Sequence, residues 1–201
     1  MWDRGGVDAL DLLLHPVRLR IVNAMWGGHA RTTSELCARL ADVPKTTVYR
    51  HVGLLAGAGL LEVADERRVH GAVERRFRLN RERAAVDPDA GAAMSLDDHR
   101  HGFAAAVAAL LAEFNAYLDR EGADPAADLV SYKQFPLWLD DAERAALIEQ
   151  IKALVRPLLA KPPTPGRSPV LLSTILFPTE APPAPDDGEP SDPRADRWTG
   201  D

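Results

Sequence analysis

Between residues 33 and 61 the chain sets two short apolar patterns on either side of one tight turn: "TSELCARLADVPKTTVYRHVGLLAGAGLL". In the first, Leu36 and Leu40 stand four apart, and Thr33 or Ser34 is placed to cap a short helix over "SELCARLA". Residues Asp42 to Pro44 make the turn. In the second, Val48, Val52 and Leu55 recur at spacings of four and three, so one helix face is buried, and Gly57 and Gly59 end it. Helix, turn and helix is the arrangement this spacing predicts.

The same periodicity turns Thr46, Thr47 and Arg50 away from the core and leaves Lys45, Tyr49 and His51 near the borders of that face. Downstream, "LLEVADERRVHGAVERRFRL" reads as two strands joined at a tip spanning Glu66 to Ala72. That tip is basic, with Arg67, Arg68 and His70, and Arg75, Arg76 and Arg78 follow on the return strand. Upstream, residues 7–27 read as two helices broken at Pro16, the second carrying Leu19, Val22 and Met25 on one face and ending at Gly27 and Gly28.

The net charge of −6 conceals a division. Residues 1–83 hold 14 Lys plus Arg against 10 Asp plus Glu, whereas residues 84–201 hold 10 against 20. Only the first part favours a polyanion, because phosphate binding depends on a local basic surface rather than on the whole-chain sum. A helix set across a short turn from its partner can place its N-terminal residues in a major groove, while arginines of a flanking hairpin reach phosphates or the minor groove. Arginine suits guanine or phosphate through its paired donors, and threonine can bond a base edge or touch a thymine methyl.

At these residues the chain resembles the ArsR-like winged helix-turn-helix transcriptional regulators. The similar pieces are "LLLHPVRLRIVNAM", "TTSELCARLADVPKTTVYRHVGLLAGAGLLE" and the wing that follows, together covering about residues 8–80. The resemblance implies a DNA-binding regulator that works as a dimer. It also implies recognition-helix contacts at Lys45, Thr46, Thr47, Tyr49, Arg50 and His51, and wing contacts at Arg67 and Arg68. Thr33, His70 and Arg75 complete the expected DNA-facing set. Winged helices also serve as protein-interaction modules, and a charged helix face can be merely solvated, so a winged helix without DNA binding is the competing reading.

Metal binding, known in many members of that family, finds little support in the residues. Where one family pattern has two cysteines in "ELCVC", this chain has "ELCAR", leaving Cys37 alone and better suited to the core. A second pattern starts Asp-x-His, which "DDHRH" supplies as Asp97 and His99 with His101 beside them. Its continuation would fall near Leu110 and Glu113, which is half a ligand pair at most. His99 and His101 are two apart and do not share a helix face, near a helix start capped by Ser95. No metal or other cofactor is expected, and metal sensing stands as a minor alternative. No phosphate-binding glycine loop, G-x-S-x-G elbow or H-E-x-x-H helix is present, so the chain is not expected to be an enzyme.

Beyond residue 83 a linker-like passage, 84–94, leads into a long helix from about Leu96 to Glu121. Phe103, Val107, Leu110, Phe114 and Tyr117 form a heptad-like stripe along it, suited to a dimer interface or to packing on the protein's own sheet. Then "DLVSYKQFPLWL" reads as a strand, "DDAERAALIEQIKALVRPLLAK" as an amphipathic helix with Asp140 and Glu143 as a capping box, and "SPVLLSTILFP" as a second strand. Leu147, Ile151, Leu154 and Leu158 mark that helix's expected buried face. Tyr132, Trp138 and Phe177 could line an effector pocket or simply fill a core. Residues 179–201 are proline-rich and acidic, and disorder is expected there.

These readings combine into an α+β, mostly helical chain. A winged helix-turn-helix domain occupies residues 1–83 and a small strand-helix-strand α/β domain for dimerisation or effector binding occupies 95–178. The expected function is a homodimeric repressor on an inverted-repeat operator in double-stranded DNA, answering to an unknown small molecule or partner. The single cysteine, the acidic N-terminus and the shortness of the longest apolar run, "FAAAVAALLAEF", point to a cytoplasmic protein without a membrane span.

Overall fold

A computed structural model describes residues 12–69, 72–84, 92–161 and 164–179. The chain divides into two units, Met1–Pro169 and Val170–Asp201.

In the first unit, helix α1 (Pro16–Met25) begins where His15 accepts a hydrogen bond from the Val17 amide at 3.2 Å, with proline at the first helical position. It ends before Gly27 and Gly28, whose φ angles of 87° and 84° lie in the left-handed region that glycine enters without a Cβ clash. A two-residue strand, β1 (Arg31–Thr32), runs straight into α2 (Thr33–Arg39). The cap of α2 is Thr32, one residue before the expected Thr33 or Ser34. Its hydroxyl accepts from the Glu35 amide at 3.1 Å, and the Glu35 carboxylate accepts from the Thr32 amide at 2.8 Å. Thr32 can do this because its backbone, paired in the sheet opposite Arg76, already holds the extended conformation a cap requires.

Helix α3 (Lys45–Gly57) follows the turn after α2. It closes in a Schellman motif: the Leu60 amide donates to the Leu55 carbonyl, the Gly59 amide to that of Ala56, and Gly59 takes a φ of 73°. Leu55 and Leu60 are buried together, so the motif turns the chain directly into the hairpin of β2 (Leu61–Val69) and β3 (Ala72–Leu79). The antiparallel sheet has the order β1-β3-β2, with an irregularity in register between Val63 and Asp65. The strands run further than expected, into the stretch Glu66–Ala72 that the sequence assigns to the tip, and Arg67 and Arg68 stand in the ladder.

The core gathers Ile21, Val22 and Met25 of α1, Leu36 and Cys37 of α2, Leu40 beyond it, Val48, Val52 and Leu55 of α3, and Leu61 and Leu79 at the hairpin base. After a short turn of helix, α4 (Arg81–Ala84), comes α5 (Leu96–Leu118), capped as expected by Ser95, which forms a capping box with Asp98. It ends at Leu118 rather than near Glu121. It packs on α1. Ala105 and Ala109 are buried, and a Cβ on Gly102 would come within 2.9 Å of the Leu14 side chain. At 23 residues, with a mean hydropathy of 1.2 over an 18-residue window, α5 meets the length and composition of a membrane span. An arginine of α1 nevertheless holds a carboxylate on it, as described below, so this helix is a packed part of the first unit.

The expected strand-helix-strand sheet is not formed. Residues 130–140 and 168–179 contain no strand, although helix α6 (Asp141–Leu159) is present with its Asp140 and Glu143 capping box. Without a sheet to cover, α6 has no buried residue, and Leu154 of its expected inner face is 69% exposed. Tyr132 and Trp138 are 83% and 86% exposed. In the second unit Phe177 is exposed as well.

Candidate nucleic-acid interface

The first half of α3 separates two chemistries around its circumference. Val48, Val52 and Leu55 are buried, whereas Lys45, Thr46, Tyr49 and Arg50 are exposed and Thr47 is half-buried. Tyr49 is 56% exposed despite its ring. The first turn contains no acidic side chain, and its opening cap, Pro44, supplies no side-chain acceptor. The positive end of the helix dipole therefore adds to Lys45 and Arg50 on this surface.

His51 does not belong to this face. It is 2% exposed, packs its ring 4.5 Å from that of His15, and leaves its Nδ1 buried without a hydrogen-bond partner. Burial, then His15, Arg50 and Arg18, push its pKa down to about 4, so the ring is neutral near pH 7. The physical reason is spacing: His51 follows Val48 by three and precedes Leu55 by four, which is the period of the buried stripe.

Thr33, at the start of α2, is half-buried. On the hairpin, Arg67 stands opposite Glu74 and Arg68 opposite Val73. Arg75 donates to Glu66 at 2.8 Å, Arg78 donates to Glu62 at 2.5 Å, and Arg76 lies 3.5 Å from Asp65 while donating to the Ala30 carbonyl at 2.8 Å. The return strand's arginines are thus engaged across the ladder. His70 lies outside the described residues.

A residue absent from the sequence-derived set joins this surface to the rest of the unit. Arg20 of α1 is 2% exposed, and its guanidinium donates twice to Asp42, at 2.6 and 2.8 Å, and once to Glu113 of α5 at 3.0 Å. Asp42 sits in the turn between α2 and α3. The guanidinium's hydrogen bonds hold the Asp42 carboxyl below the usual carboxylate range and raise the arginine's own pKa. The sequence signal was weak, an arginine inside an apolar run, since its partners lie 22 and 93 residues away.

Glu113 is therefore committed to Arg20. His99 and His101 are at the opposite, exposed end of α5, about 20 Å away at 1.5 Å per residue. Along α5, Phe103 and Val107 are exposed, Leu110, Phe114 and Tyr117 are half-buried, and the Tyr117 hydroxyl donates to Asp128 of its own chain at 2.7 Å.

Residues 13–64, from the approach to α1 into the first strand of the hairpin, match the family model of a helix-turn-helix domain, a family found in ArsR-type and related regulators. The chain thus carries at its N-terminal end the domain class of DNA-binding regulators, and the β2–β3 hairpin occupies the place of the wing in a winged helix-turn-helix. A comparison with curated proteins finds no match.

Proposed function

We propose that the chain is a cytoplasmic, ArsR-like transcriptional repressor that binds an inverted-repeat operator as a homodimer. What supports this reading above all is the exposed cluster of Lys45, Thr46, Tyr49 and Arg50 at the start of α3, held outward by the buried stripe behind it. In the proposed complex α3 enters the major groove, Thr33 and Thr47 flank it, and Arg67, Arg68, His70 and Arg75 of the wing meet the neighbouring backbone. The stripe from Phe103 to Tyr117 on α5 joins two copies. A small molecule or partner that changes the distance between the two heads would then set operator occupancy.

Selection of bound DNA from a random pool, followed by titration of the enriched sites at several salt concentrations, tests the proposal. Enrichment of an inverted repeat with half-sites about one helical turn apart is the expected result. A protein that enriches no sequence and shows no salt-dependent affinity is instead a winged helix for protein contact.

A further inference from the structure

Helix α5 packs on α1, and the buried residues of α5 are small, Ala105 and Ala109, with Gly102 set against Leu14 just before α1. Small side chains let two helices approach closely, but apolar contact is non-directional, and a smooth face fixes neither rotation nor axial register. Glu113 continues the same face one turn further on, and there the contact changes character. Arg20 presents Nε to Glu113 and both terminal nitrogens to Asp42, so all three nitrogens of one rigid, planar group are aimed. Asp42 lies two residues before Pro44, where α3 begins.

Stability alone does not account for this arrangement. Taking a guanidinium out of water costs several kcal/mol, and an apolar replacement for a buried ion group is often neutral or stabilising. What a forked, directional group supplies beyond an apolar one is orientation.

We propose that Arg20 is a positioning residue for operator recognition: by bonding Asp42 and Glu113 at once it fixes the start of α3 relative to α5, and so fixes the half-site spacing that a dimer joined along α5 can accept. The inference rests on the proposed operator-binding function. Arg20 touches no DNA in this scheme. It acts through the turn that carries Lys45 and its neighbours and through the helix that carries the stripe. A lysine in its place would keep the charge but could not hold both carboxylates in one plane.

The test uses the full chain and a set of operators that differ only in the spacer between half-sites. Wild-type protein is expected to discriminate about tenfold or more between the preferred spacer and one two base pairs longer, and Glu113→Gln and Arg20→Lys to discriminate about threefold or less, while affinity for a single half-site stays within about twofold. Circular dichroism and thermal unfolding identify the variants that fold. Glu113→Gln, nearly identical in shape, serves if Arg20→Lys does not. A folded variant with the wild-type spacer profile overturns the inference and leaves the operator reading standing. Wild-type protein without sequence-specific binding removes both.

Discussion

His15 and His51 meet with ring centroids 4.5 Å apart and planes tilted by 45°, tying the cap of α1 to the middle of α3. Each environment disfavours the imidazolium. For His51 the chief cause is burial, then His15, Arg50 and Arg18, and for His15 it is burial, then Arg18 and Arg50.

From this pair follows a dependence of stability on pH. In the unfolded chain His51 takes up a proton near pH 6.5, whereas in the folded chain it does so at about 4, so between those values the unfolded state binds more protons. Stability is present above pH 6.5 and declines as the pH falls toward 4, by up to about 1.4 kcal/mol per pH unit from this one group. The depressed carboxyl of Asp42 acts the same way but only below its ordinary value of 3.8. His51→Leu, which also removes the unpartnered Nδ1, is expected to reduce the slope in the upper window, where the lowered pKa of His15 still contributes, and to leave the lower window unchanged. Urea unfolding at stepped pH measures both, and an unchanged slope above pH 4 in the variant would refute the assignment.

The capping box of α2 gives a sharper test of the local geometry. Thr32→Ala removes the acceptor for the Glu35 amide and should cost about 1 kcal/mol, whereas Thr33→Ala, one residue on, should cost less than about 0.5 kcal/mol. Equal losses in chemical denaturation would mean that the cap is misplaced.

Arg50 and Arg67 should differ in how they fail. Arg50→Ala removes the group proposed to face a base and is expected to weaken binding by about 1–3 kcal/mol while relaxing specificity at one operator position. Arg67→Ala should weaken binding evenly across sequences and lower the salt slope by about one. Competition titrations against matched and mismatched sites separate the two effects. Unaltered affinity in both variants would detach α3 and the wing from DNA.

Val107, exposed on α5, offers a probe of self-association that spares the core. Val107→Glu should shift sedimentation from dimer toward monomer and leave thermal unfolding of the winged-helix unit within about 0.5 kcal/mol of wild type. A dimer that survives the change uses some other surface.

The helix-turn-helix could be read from the sequence because its information is local: a period of 3.6, a turn and two glycines suffice for Val48, Val52, Leu55 and Gly59. His51 was legible by the same rule, and its polarity obscured it. Arg20 was not, since the meaning of a buried cation depends on Asp42 and Glu113, which only the fold brings near. The segments around Tyr132 and Ile175 have the composition of strands, but a strand exists only with a partner to bond, and the described residues provide none. Alternating hydrophobicity records a preference for pairing without naming the mate.

The wing carries its own counterions. Each arginine of β3 sits against a carboxylate of β2, with Glu66, Asp65 and Glu62 serving Arg75, Arg76 and Arg78 in turn. A phosphate can claim one of these guanidinium groups only as a carboxylate lets go, so that an anion is exchanged for an anion. Such an exchange frees few cations from the nucleic acid and leaves a negative side chain facing the backbone it has just admitted. Strand β3 is thereby a weak adhesive for arbitrary polyanions, and in the proposed complex discrimination falls to the groups on α3.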